Sequence, residues 1–123
     1  MDYQAMFRTA AMTVILGLAG STALAGDCGE PPAEPAIVDG SEATMDEMVA
    51  NSEEVKGYIK EADAYLDCRE GQVKTEAFKE KSDEDKVKWM QKNKKVLDER
   101  NGIGDKFNDQ VAEYKKANPQ PEQ

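Results

Sequence analysis

The chain has 123 residues, 25 of them acidic and 16 basic, with a net charge of -9 and no histidine. That length leaves room for one small domain. The charge repels nucleic acid and other polyanions at long range, and without imidazole the chain lacks the commonest protein ligand for zinc and haem.

The first element along the chain is an export signal over residues 1–25. Ala10 to Ala19 is an apolar run too short for a bilayer, which needs about 20 residues. Ala23 and Ala25 supply the small side chains that a signal peptidase accepts, so cleavage is expected after Ala25. Translation starts at Met1 or Met6, because Asp2 stands where a positive residue is expected. Asp27 directly before Cys28 argues against lipidation. The expected location is the periplasm or the secreted fraction, with no stable membrane insertion after cleavage.

Export gives the two cysteines a meaning. In an oxidising compartment a lone pair reads as a disulfide, and Cys28 to Cys68 closes a loop worth about 4 kcal/mol in the chain-entropy model. The chain needs it: Leu, Ile, Val and Phe supply about 14% of the part after Ala25, below the roughly 20% at which charged chains lose a core. Against that, Ala, Glu, Lys, Leu and Arg supply about 40% of it, close to long-helix composition.

Residues 26–43 carry Pro31, Pro32 and Pro35 and end in Asp39-Gly40. They predict an extended, proline-rich strap with much polyproline geometry. Thr44-Met45-Asp46-Glu47 is a capping box that starts a helix. Met48, Ser52, Val55, Ile59, Ala62, Leu66 and Val73 then fall on one helical face. Gly71 offers an early stop, but Val73, Ala77 and Phe78 continue near the stripe, so the helix is drawn over about 44–81. Ser82-Asp83-Glu84-Asp85 caps a second helix over about 83–117, with an apolar face of Trp89, Val96, Leu97, Ile103, Phe107, Val111 and Tyr114. Gly102 and Gly104 predict a hinge or kink there, and Asn118-Pro119 begins a flexible tail over 118–123.

The fold class is therefore all-α: an antiparallel hairpin of two long helices over 44–117, with the strap and one disulfide. From Gly26 to Glu70 the chain has 13 acids against Lys56, Lys60 and Arg69, whereas the rest has 11 acids and 12 bases, which favours pairing of the two helices. The disulfide adds a geometric demand. Cys68 lies about 36 Å along the helix from Thr44 at 1.5 Å per residue, and an extended segment of about 3.1 Å per residue covers that distance. The strap then lies antiparallel along the first helix, with Pro32 and Pro35 stacked near Tyr58 and Tyr65 on the flank of the main stripe. Gly57 either admits the strap closely or is a tolerated surface glycine.

Cys28, the prolines, Asp39-Gly40, Met48, Val55, Tyr58, Tyr65-Leu66-x-Cys68 and Phe107-Asn108-x-x-Val111-x-x-Tyr114-Lys115 together resemble a group of small exported proteins of Gram-negative bacteria. The resemblance implies a periplasmic helical hairpin with an N-terminal strap and brings no activity, cofactor or catalytic residue with it.

Carboxylates at helical spacing are the solvated face of a charged helix, and Gly102-x-Gly104 lacks the third glycine and the strand of a nucleotide-binding fingerprint. No catalytic residue, metal or cofactor is expected. Trp89 with Lys88, Lys92 and Lys95 is a possible partner surface, although these lysines also suit water or the acids of the first helix. The expected function is non-enzymatic, structural or partner-binding, because a two-helix core of this size supplies only about 3 to 5 kcal/mol and a protein partner or weak self-association completes it. The alternative is a polyanionic binder of cations or of unfolded exported proteins.

Overall fold

The computed structural model describes residues 27–121, so the export signal expected over residues 1–25 lies outside the described residues, as does the end of the expected tail. Three helices follow one another: α1 (Met45–Gln72), α2 (Glu76–Lys79) and α3 (Asp83–Ala117). There is no strand among the described residues, and residues 27–43 form neither helix nor strand. No described helix is long and apolar enough to cross a membrane.

α1 begins where the capping box places it. The Thr44 hydroxyl accepts from the Glu47 amide at 3.2 Å, and the Thr44 amide donates to the Glu47 carboxylate at 2.8 Å. Its end corrects the expected helix over 44–81. α1 stops at Gln72, and the amides of Val73, Lys74 and Thr75 bond three residues back instead of four, a tightening common where a helix ends. Thr75 then caps the single turn of α2, its hydroxyl accepting from Phe78 N–H. This bend turns the Phe78 ring edge-on to Trp89, centroids 5.1 Å apart.

α3 starts on Ser82, whose hydroxyl accepts from the Asp85 amide at 3.2 Å, with Asp83, Glu84 and Asp85 in the positive first turn. It runs unbroken through Gly102 and Gly104, and neither glycine has a positive φ, so the expected hinge is absent. A β-carbon at Gly102 would meet open space, and at Gly104 only Ile59 Cδ1 at 4.0 Å. These glycines therefore lower helix propensity without forcing a break.

α1 and α3 pack antiparallel: Arg69 meets Asn93, Asp63 meets Arg100 and Ile59 meets Gly104, so positions rising along one helix fall along the other. Val55, Tyr58, Ala62, Tyr65, Val96 and Ile103 form the core, with Cys28, Ile37, Ile59, Leu66 and Phe107 packed against it. The most buried line of α1 is Met48, Asn51, Val55, Tyr58, Ala62, Tyr65 and Arg69. It shares Met48, Val55 and Ala62 with the expected stripe but replaces Ser52, Ile59 and Leu66 by their neighbours. The cause is that α1 is covered from two sides. α3 lies over Ile59 and Asp63, residues 27–43 lie over Asn51 and Cys68, and the deepest burial falls between the two. Tyr58 and Tyr65, expected on a flank, are thus core residues at 5% exposure each. Leu97 and Val73, expected inside, are exposed.

Residues 27–43 are held at three places. Cys28 and Cys68 are disulfide-bonded. The buried Asn51 amide donates to Ala36 C=O at 2.7 Å and accepts from Val38 N–H at 3.1 Å. Gly40, itself buried, donates its N–H to Gln110 Oε1 at 2.8 Å. The following turn is set by Asp39, whose carboxylate accepts from the Ser41 hydroxyl and amide and is held below its usual pKa by those bonds. Gly57 faces open space, which makes it a surface glycine and not a point of close approach. The charge complementarity of the halves is expressed in one ion pair across the helices, Arg100 to Asp63. The other ion pairs among the described residues lie within single helices.

Candidate functional site

Two packed helices leave a groove on either side of their contact line. Residues 37–41 fill one of them, lying against Lys106, Gln110 and Glu113 of α3 and bonding Asn51 of α1. No described residue of 27–43 covers the far end of the other groove. There a cleft of about 510 Å³ opens between Met45, Met48, Val49 and Ser52 on α1 and Phe107, Val111 and Tyr114 on α3, with Lys115, Asn118 and Gln120 at its edge.

Local sequence explains the walls. Because Thr44 fixes the start of α1, Met45, Met48, Val49 and Ser52 fall at one, four, five and eight in the helix and share a face. Phe107, Val111, Tyr114 and Lys115 do the same on α3. Met48 is buried beneath the cleft, whereas Met45 and Val49 are 53% and 54% exposed. The lining is apolar apart from its rim. Its methionines are flexible and polarisable, suited to reshape around an apolar guest.

The electrostatics of the cleft differ from those of the chain. Among the described residues Lys115 is the one charged residue lining it, in a protein with an excess of nine acids. Lys116 pairs with Glu113 at 3.0 Å, while Lys115 forms no ion pair among the described residues. Asn118 is turned back on the helix, its Nδ2 donating to Tyr114 C=O at 3.0 Å, so it closes the end of α3. The arrangement can bury an alkyl or aromatic group and meet a negative charge at its mouth.

The residues singled out in the sequence lie elsewhere. Pro32 is beside Tyr65, Glu61 and the disulfide, and Pro35 is half-buried. The Tyr58 phenol is pushed up in pKa by burial first and then by the charges of Glu34 and Glu99. The Tyr65 hydroxyl is buried without a hydrogen-bond partner among the described residues. Trp89 does not present a ring framed by lysines. Its indole N–H donates to Gln72 Oε1 at 3.2 Å, the Arg69 guanidinium lies 4.9 Å from its ring, and Arg69 also donates to Trp89 C=O at 3.0 Å and to Asn93 Oδ1. This cluster ties α1 to α3 beside the turn and is internally satisfied. Lys88 and Lys95 pair with Glu84 and Glu99 of their own helix, and Lys92 is exposed. Nothing brings the three lysines and Trp89 into one site. The cleft escaped sequence reading because Met45 and Val49 lie off the expected stripe; the signal was the i, i+3, i+4, i+7 spacing that starts at Met45.

No protein-family model, curated protein or solved structure matches the chain.

Proposed function

We propose that the chain is an exported, non-enzymatic helical protein that works by binding an apolar group of a partner in the cleft at the open end of its helical hairpin, and that residues 26–43 serve as an extended strap holding the pair of helices in register. The cleft carries this reading: about 510 Å³ falls within the usual range of ligand sites, about 300–1,000 Å³, and Met45 and Val49 keep half of their apolar surface in water.

Three observations support the strap. The disulfide, the Asn51 bonds and the Gly40 bond tie successive points of residues 27–43 to the helices. From Cys28 to Val38 the segment advances beside α1 from Cys68 to Asn51, about 26 Å at 1.5 Å per residue, or about 2.6 Å per strap residue, near the polyproline rise. Its prolines remove amides that would otherwise seek partners. Export accounts for the disulfide, since such bonds persist in oxidising compartments, and the resemblance to small exported proteins points the same way.

A neutral fluorescent apolar probe such as N-phenyl-1-naphthylamine tests the function. Binding is expected to be saturable, to survive about 0.5 M salt, where the Debye length is below about 5 Å, and to be lost in Val49→Glu, a change at an exposed position that leaves the core intact. Probe binding unaffected by Val49→Glu overturns the assignment. Cation binding that salt abolishes, with no probe uptake, supports the polyanionic reading instead.

A further inference from the structure

We infer that the guest of the open-end cleft is a single-chain anionic amphiphile, a fatty carboxylate whose alkyl tail lies along Met45, Val49, Phe107 and Val111 and whose carboxylate meets Lys115. The inference rests on the reading of the cleft as a binding site and adds the chemical class of its ligand.

Charge carries the argument. On this acidic chain the clefts beside Pro32, Lys106 and Glu47 each include carboxylates, whereas the one at Arg69 and Trp89 does not. The open-end cleft includes none among the described residues, and its single charged residue there is a lysine at the mouth. Six of the eleven lysines in the helices pair with an acid three or four residues away, namely Lys56, Lys79, Lys88, Lys94, Lys95 and the adjacent Lys116, and of the other five only Lys115 lines the cleft. Lys115 is left without an ion pair among the described residues. An unpaired ammonium at the rim of an apolar trough favours a ligand with one negative end and an apolar body. A single cation matches a single carboxylate, and a single trough matches one tail. The two methionines let the walls close on tails of differing length.

Methyl NMR on the full chain tests this directly. Met45 and Met48 line the cleft, whereas Met90 is exposed on α3 away from it and reports nonspecific adsorption. Titration with dodecanoate below its micelle concentration is expected to shift the Met45 and Met48 methyls saturably and to leave Met90 in place. Across octanoate, decanoate and dodecanoate, affinity should rise about fourfold per methylene while the added carbons remain buried. Lys115→Gln should weaken dodecanoate about threefold to fivefold, the range of an exposed charge contact, and leave dodecanol unchanged. Val49→Glu should abolish dodecanoate binding, with its thermal melt confirming the fold.

Equal affinity of the parent protein for dodecanoate and dodecanol, preference for dodecyltrimethylammonium, or shifts that include Met90 would overturn the inference. If dodecanoate fails while the neutral probe still occupies the cleft, the ligand class is wrong and the binding site stands. If neither binds, both readings fall.

Discussion

Gly40→Ala asks how residues 27–43 sit on the helices, because the answer depends on one β-carbon. Built on Gly40, that carbon would stand 1.9 Å from the Gln110 carbonyl oxygen, 2.8 Å from the Gln110 carbonyl carbon and 3.0 Å from the Tyr114 amide nitrogen. All three atoms are backbone of α3, which cannot swing aside as a side chain would. Residues 39–41 must therefore lift off the helix, breaking the 2.8 Å bond from Gly40 N–H to Gln110. Overpacking costs about 1–3 kcal/mol and the lost bond about 1 kcal/mol, so the expected loss is about 2–4 kcal/mol. For a domain of this size that lowers the melting temperature by about 10 to 25 °C, measured by circular dichroism. Gly57→Ala is the matched control. Its β-carbon meets open space, and it should gain about 0.5–1 kcal/mol as an ordinary helix substitution. If Gly40→Ala melts with the parent protein, the close approach of the segment to α3 is refuted.

Gly102→Ala should also stabilise by about 0.5–1 kcal/mol in urea unfolding, since the site is helical and open; a clear loss would mean that α3 breaks there. Reduction of Cys28–Cys68 should lower stability by about 2–4 kcal/mol while keeping most helical signal at low temperature, with hydrogen exchange rising first near Tyr58; an unchanged melting temperature refutes this. Tyr65→Phe should hold or raise stability by about 1 kcal/mol, because it removes a buried hydroxyl without a partner among the described residues, whereas Tyr65→Ala should cost about 3–5 kcal/mol; a loss of about 1 kcal/mol in Tyr65→Phe would show that the hydroxyl is satisfied. The bond from Arg100 holds the Asp63 carboxyl below its usual pKa, so the pair stabilises above the unfolded value of about 3.9 and is lost as pH falls through the folded one. Asp63→Asn should therefore melt below the parent protein at neutral pH and converge with it in acid; a gap that does not change with pH refutes the pairing.

Caps were the legible part of the fold. Thr44 and Ser82 start their helices because a hydroxyl followed three residues later by an acid is local chemistry that tertiary contacts do not override. The cysteine pair was legible for a similar reason, since only two thiols exist to choose between. The end of α1 was not, because Val73, Ala77 and Phe78 keep helical spacing across a break that brings Phe78 to Trp89, a contact between residues 11 apart that no window on one helix contains. The register of the core was half legible. Two phases of the three-four alternation pass through Met48, Val55 and Ala62, and the choice between Ile59 and Tyr58 depends on how many neighbours cover α1. Gln110 and Asn51, polar residues in seams that periodicity assigns to apolar side chains, gave no sign that they bond the backbone of residues 36–40.

That division of labour between adjacent residues also explains why residues 27–43 leave one groove uncovered. Asn51 and Ser52 differ by one position, as do Gln110 and Val111, yet the first of each pair faces residues 36–40 and the second faces the cleft. A single segment can cover only one side of a two-helix contact. Here it covers the side where amides were placed to receive its backbone, since an apolar residue at 51 would leave Ala36 C=O and Val38 N–H without partners. In the opposite groove no described residue of 27–43 bonds a side chain of either helix. Near the turn it is bridged by Arg100 and Asp63 and closed by the Arg69 and Trp89 cluster, but toward the helix ends no described residue bridges Met45 or Val49 to α3. A chain that needed only stability would be expected to place a charged residue at those two positions, as it does at nine of the sixteen exposed positions of α1. Two apolar side chains kept in water beside a buried methionine, with a lysine at the rim that has no ion pair among the described residues, are the observations on which the proposed binding of an apolar group with one negative end rests.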